Sequence, residues 1–328
     1  MSEKKELVWN AFNNKSTDRV PVGFWFHYTQ NELLLAYDHP EMREQNLNGH
    51  KKFVSEFKPD FVKLMSDGYF FEPVTADLIK NAASASDLKK LKAISSEDKW
   101  IRDQVSLVKD LTSTFGNEVL TFYNVFAPAT AFKWAAGGDA KLAAFIKEDK
   151  QAVIYALGVI AQNTETLARA VIQEGGADGI YLSVQSIQDK SVSPDLYAEA
   201  ISPSELSVLT AANAAGGKNI LHVCGYEGAR NNFSLFKNYP ATAINFASAV
   251  EGISLSEGKK IFGGKAVIGG FANTRDGILY KGSKEEIQAE TKRLISEAGK
   301  TGIILGADCT VPKDISFERF EWVREAAR

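Results

Sequence analysis

His222 and Cys224, in Leu221-His222-Val223-Cys224-Gly225, and the chain's one other cysteine, Cys309, in Leu305-Gly-Ala-Asp-Cys-Thr-Val-Pro312, carry the sharpest chemical signal in the sequence. In an extended segment residues i and i+2 point the same way. If this segment ends a strand, His222 and Cys224 face one side together. An imidazole and two thiolates suit zinc, and three protein ligands leave a fourth position for a substrate. Two other readings stay open on the residues alone. A free cysteine is most often a small buried apolar residue, and a Cys224–Cys309 disulfide is conceivable, though disfavoured in a reducing compartment.

The elements that must position these residues follow from the apolar pattern. Short runs rich in Val, Ile, Phe and Tyr read as buried parallel strands at Val20–Phe26, Phe61–Met65, Val119–Val125, Gly179–Val184, Ile220–Val223, Ala243–Phe246, Ala266–Gly270 and Gly302–Leu305. Helical signals lie between them. Ser193-Pro194 offers a cap and a first-turn proline for a helix running toward Ala215, and Ser283-Lys-Glu-Glu opens another that ends near Gly299. Ala152–Glu174 is closed by Gly175-Gly176, and Asp314 is expected to start the last helix. Alternating strands and helices imply right-handed parallel crossovers. The expectation is a single domain over residues 1–328, an α/β (β/α)8 TIM barrel with an N-terminal helical extension; an open doubly wound sheet is the alternative. Both cysteines and His222 then fall at strand C-termini, where barrels place their chemistry. Residues 27–60 and 66–118 exceed ordinary connections and are expected to cover the barrel mouth.

Composition excludes several classes. Of 328 residues 45% are hydrophobic and 24% charged, with a formal net charge of −3, so nothing favours nucleic acid. No apolar run approaches the roughly 20 residues of a membrane span, and the charged start MSEKKELVWNAF lacks a signal-peptide core. Two cysteines cannot form a disulfide framework, which fits a cytoplasmic enzyme. No Rossmann or Walker pattern supports a nucleotide cofactor.

Other residues are weaker candidates. Trp25 and His27, beside Phe26 and Tyr28, could stack on a planar ligand or belong to the core. Asn245 points inward if Ile244 and Phe246 point outward, and Asn245, Glu251 or Asp308 could complete a zinc shell. His39 and His50 sit in a charged helical stretch and read as solvated. Gly263-Gly264 and Gly269-Gly270 could bring N–H groups to an anion or could serve tight turns.

The His-Val-Cys-Gly and Gly-Ala-Asp-Cys-Thr-Val-Pro segments resemble the zinc motif of corrinoid-dependent methyltransferases, a branch of the uroporphyrinogen decarboxylase superfamily. The resemblance extends through Asp18-Arg19-Val20-Pro21-Val22, Phe126-Ala-Pro-Ala-Thr-Ala-Phe132, Gly176-Ala-Asp-Gly-Ile180, Ser193-Pro-Asp-Leu-Tyr197 and Gly264-Lys-Ala-Val-Ile-Gly-Gly270. It implies a barrel fold and zinc held by His222, Cys224 and Cys309. Leu64-Met-Ser-Asp67-Gly68 resembles the decarboxylase Phe-Ser-Asp segment and implies a catalytic or substrate-anchoring Asp67; without the resemblance, Asp67-Gly68 reads as a turn. The decarboxylase's paired arginines after the first strand are missing, since residues 20–42 contain neither Arg nor Lys. A polycarboxylated tetrapyrrole needs such cations.

The expected function is therefore zinc-dependent methyl transfer between a corrinoid, either methylcobalamin or a corrinoid protein, and a small-molecule acceptor such as a thiol. Substrate-binding positions are expected at Trp25, His27 and Asn245. The alternatives are a metal-free decarboxylase-like enzyme and a non-catalytic tetrapyrrole-binding homologue.

Overall fold

The computed structural model describes residues 1–328. Seven parallel strands form one curled sheet in chain order: β1 (Phe61–Leu64), β2 (Leu120–Phe126), β3 (Gly179–Val184), β4 (Ile220–Val223), β5 (Ala243–Phe246), β6 (Ala266–Phe271) and β7 (Ile303–Ala307). Consecutive strands pair because each is joined to the next by a crossover, α-helical in all but the β4–β5 connection, that returns the chain to the same end of the sheet.

The regular eight-stranded barrel is not what the sheet shows, because Val20–Phe26 does not form a strand. It makes a single parallel bridge, Val22 to Leu305. Leu305 N–H donates to Pro21 O and Gly23 N–H donates to Leu305 O, both at 2.9 Å, while Asp60 N–H donates to Val22 O on the other side. This segment thus lies between the two edge strands. Its ladder stays short for local reasons. Pro21 has no N–H to give, and the N–H of Val22 goes to the Asp60 carboxylate at 2.8 Å, which also takes both terminal nitrogens of Arg19. Gly23 is needed by a close approach: a Cβ there would meet the Phe61 ring at 2.1 Å.

Alternation along the strands separates two cores. The inner one contains Trp25, Phe61, Met65, Phe122, Tyr181, Ile220, Ala243, Ile268 and Ile304. The Glu3–Phe12 helix, the expected N-terminal extension, adds Val8, Ala11 and Phe12 to it and packs on β1, β2 and β7. Val62, Leu64, Leu182, Leu221 and Ile303 face the larger outer core, beneath the helices.

The helices follow their signals with two exceptions. The Lys150–Gln173 helix starts from an Asp149 cap, and Lys284–Ala298 starts from a Ser283/Glu286 capping box and ends at Gly299. The helix expected from Ser193 to Ala215 is instead two, Pro194–Ala200 and Ser202–Ala214, because Pro203 restarts the turn. The last helix is Glu318–Ala326 rather than one starting at Asp314, whose carboxylate is tied to Arg275 and Tyr280. No helix is long and apolar enough to cross a membrane.

Candidate metal centre

His222 lies on β4, one residue before its end, and Cys224 follows that strand directly; Cys309 follows β7 by two residues. The His Nδ1/Nε2 and Cys Sγ ligand atoms lie within 4.8 Å of one another, and the two sulfurs are 4.0 Å apart. A disulfide needs about 2.05 Å, so both thiols are free. Two thiolates on a tetrahedral zinc with Zn–S near 2.3 Å stand about 3.8 Å apart. The remaining gap is within reach of side-chain rotation.

His222 is buried, yet neither of its ring nitrogens has a hydrogen-bond partner. A buried imidazole without partners is costly, and a metal ion on one nitrogen would offset that cost. The thiols are poised unequally. The hydrogen bond with Cys224 holds Cys309 well below its usual pKa against the effect of burial, and the neighbouring His222 and Lys63 reinforce it. The same hydrogen bond and burial push Cys224 well up. The donor set therefore fits zinc in both geometry and chemistry.

The shell around it is built. Asn231 Nδ2 donates to the Cys224 carbonyl at 2.8 Å and to Glu251 Oε1 at 2.7 Å, while Glu251 Oε2 accepts from Asn231 N–H. Glu251 thus holds the Cys224 loop and does not join the ligand cluster. Asp308 also turns away: it accepts from Ser248 Oγ and Ala249 N–H, and burial raises its pKa to about 6. Asn245, paired in register with His222, accepts from Tyr181 OH at 2.6 Å and donates to the carbonyls of Ile268 and Ala307. It pins β5 to β6 and β7 beside the ligands rather than completing the zinc shell.

Asp67 stands just past β1. Its Oδ1 is 2.7 Å from His27 Nδ1, and its Oδ2 accepts from Tyr28 N–H, Thr29 N–H and Thr29 Oγ1. Burial pushes its pKa up, but the His27 contact and the two backbone N–H groups outweigh that and keep it below its usual value. Asp67 is thus an ionised clamp on the 27–29 loop. His27 remains partly exposed, with Nε2 3.9 Å from Glu32. Trp25, by contrast, is buried against Phe61 and Tyr181.

Two residues were not foreseen. Lys63, on β1, is buried with Nζ 4.0 Å from the Tyr181 ring centroid and 5.6 Å from that of Trp25. Burial lowers its pKa to about 8, opposed by Cys309, Cys224 and Asp67. The inward period of Phe61-Val-Lys-Leu-Met65 is the signal that would have found it. His50, read as solvated, is fully buried: Nδ1 donates to Asn46 O at 2.8 Å and Nε2 accepts Met65 N–H at 3.1 Å, fixing the end of β1. The glycine pairs divide. Gly263 and Gly264 occupy an open turn, whereas Gly270, at φ +110°, lies one residue before the end of β6, where a Cβ would meet Leu294 at 2.8 Å.

A curled parallel sheet with a His/Cys/Cys set at its C-terminal rim defines a barrel-like α/β protein with a candidate metal centre. The chain belongs to the uroporphyrinogen decarboxylase family, whose model matches residues 68–328. Asp67 falls one residue outside that match. In structure the chain is similar to a methyltransferase from Methanosarcina mazei, with a TM-score of 0.73 at 15% identity over 100% of this chain and 98% of that one. It is also similar to a B12-independent methionine synthase from Shewanella sp. W3-18-1 bound to selenomethionine, with a TM-score of 0.55 at 12% identity over 94% and 97% of the two chains. At these identities the likeness is one of fold. No curated protein matches the chain in sequence.

Proposed function

We propose that the protein is a zinc-dependent methyltransferase that moves a methyl group between a corrinoid and a thiol acceptor. The observation that carries this reading is the buried His222, without a hydrogen-bond partner, beside two sulfurs 4.0 Å apart. A bound zinc ion would hold an acceptor thiol as thiolate at neutral pH, and the corrinoid would supply or receive the methyl group.

His222, Cys224 and Cys309 would be the ligands. Two thiolates quench the ion's charge, which favours a nucleophilic sulfur over hydrolytic chemistry. Asn231 and Glu251 keep the Cys224 carbonyl and its loop in place. Asp67 acts through His27, holding the imidazole by Nδ1 so that Nε2 would be left to contact the acceptor. Trp25 and Asn245 form the wall behind the ligands.

Room for a planar partner adjoins the centre. An open hollow is lined by Lys133, Trp134, Gln185, Tyr226 and Gly225, the residue that follows Cys224. Phe70, Phe126 and Trp134 form a stacked row from His27 to the surface, with centroid spacings of 4.9 and 6.3 Å. Leu33, Leu34, Val74 and Trp134 leave large apolar side chains exposed. Such a rim suits docking of a corrinoid protein or of free cobalamin.

Family membership alone favours a second reading, metal-free decarboxylation with Asp67 at its centre. Both Asp67 oxygens are already engaged by the 27–29 loop, which weighs against it. The test is to mix reduced, zinc-loaded protein with methylcobalamin and a thiol and to follow the corrinoid spectrum together with thioether formation. Thioether formed in step with demethylation supports the proposal. No transfer, with turnover of a carboxylated tetrapyrrole, supports the second reading.

A further inference from the structure

Lys63 occupies a position that ordinarily excludes lysine. It lies between Phe61 and Met65, both inner-core residues, and is 5% exposed. Its ammonium makes no hydrogen bond and no salt bridge within the protein. Its nearest neighbours are ring faces: Nζ lies 4.0 Å from the Tyr181 centroid, and the Tyr181 ring is 5.1 Å from that of His222. Aromatic faces offset part of the cost of burying a cation, but a buried charge without a counter-ion is strongly disfavoured.

Three potential anions act on Lys63: Cys309, Cys224 and Asp67. Asp67 is already engaged by His27 and by the N–H groups of Tyr28 and Thr29. The other buried lysine near Cys224 is Lys133, whose charge is met by Asp139 at 3.3 Å and by the Tyr226 hydroxyl. Lys63 is thus a buried cation with no counter-ion of its own, separated from His222 by the Tyr181 ring.

The charge count then has one consequence. Zinc with two thiolates and a neutral imidazole sums to zero. An acceptor that binds through sulfur, releasing its S–H proton to solvent, adds one negative charge in a site of low dielectric. We propose that Lys63 is the counter-charge for that acceptor sulfur, so that the site selects thiols by their sulfur rather than by a charged tail. This inference rests on the methyltransferase reading.

The test uses full-length protein loaded with cobalt(II) in place of zinc, and reads thiol binding from the sulfur-to-cobalt charge-transfer band. The probes are neutral 2-mercaptoethanol and anionic 3-mercaptopropionate, on wild type, Lys63→Met, Lys63→Gln and Lys63→Arg. In Lys63→Met and Lys63→Gln, affinity for both thiols falls by about tenfold or more and to the same extent, while Lys63→Arg recovers most of it. Metal content stays at the wild-type level in all four. Unchanged affinities overturn the inference, as does a loss confined to 3-mercaptopropionate, which would assign Lys63 to a substrate tail. Loss of cobalt from both neutral variants also overturns it, because Lys63 would then serve the metal rather than the acceptor. Wild type that takes up no metal contradicts the methyltransferase reading itself, so the two failures are distinct.

Discussion

The sulfurs of Cys224 and Cys309 lie 4.0 Å apart although their strands, β4 and β7, are three places apart in the sheet. In a flat sheet such strands would stand about 14 Å apart. The curl brings them together across the interior, so that one ion could be shared by two distant stretches of chain. The relationship depends on the fold and on the shell that fixes each thiol.

That shell has one weak point on the Cys224 side. Asn231 alone bridges the Cys224 carbonyl, Glu251 and Ser186. We predict that Asn231→Ala lowers zinc affinity by about tenfold, as loss of an outer-shell partner does elsewhere, while the protein stays folded. Competition against a chromophoric chelator measures this. An unchanged affinity would remove Asn231 from the centre.

In the proposed reaction Asp67 acts through His27, to which it is bonded at 2.7 Å. Asp67→Asn preserves size but removes the charge that orients the imidazole, so methyl transfer is expected to slow by about 10- to 100-fold with zinc content unchanged. His27→Ala should give a similar loss, and the double variant no more than either single one. Additive losses in the double variant would assign Asp67 a separate role.

His50 makes stability depend on acid. Burial lowers its pKa to about 4, against an ordinary value of 6.5. The unfolded chain binds the proton first, so the contribution is complete above pH 6.5 and is lost as pH falls toward 4, amounting to about 3 kcal/mol. His50→Gln should lower stability at pH 7.5 and flatten its decline between those limits. Denaturant midpoints across that range provide the check, and an equally steep decline in the variant would contradict it.

Glu205 acts in the opposite direction. It is fully buried among the hydroxyls of Tyr197 and Tyr239, and burial raises its pKa from 4.5 to about 7. Here the folded state holds the proton more tightly, so stability is full below pH 4.5 and is lost as pH rises through 7. Glu205→Gln should therefore be more stable than wild type at pH 8, by up to about 3 kcal/mol, and differ little at pH 4.5. Thermal unfolding at the two pH values distinguishes this from a pH-independent packing effect.

The elements that hold the ligands were legible because buried parallel strands announce themselves as short apolar runs. Ile220–Val223 is a strand with unchanged bounds, and the i, i+2 spacing placed His222 and Cys224 together. What escaped was whatever depends on tertiary partners. Val20–Phe26 has a strand's composition, but Pro21 and the Asp60 carboxylate consume its pairing capacity. His50 looked solvated among lysines and glutamates, yet its helix turns it, with Asn46, toward the end of β1. Lys63 was passed over because a lone charge in an apolar run does not reveal that rings will surround it. The engagement of Glu251 and Asp308 with Asn231, Ser248 and Ala249 required the loops to be folded.

The central claim is that His222, Cys224 and Cys309 hold one zinc ion, and elemental analysis tests it most directly. Protein purified under reducing conditions should contain about one zinc per chain, and Cys309→Ser, purified in parallel and shown to be folded, should contain little. Wild type that carries no metal, even after incubation with zinc and reductant, would contradict the account.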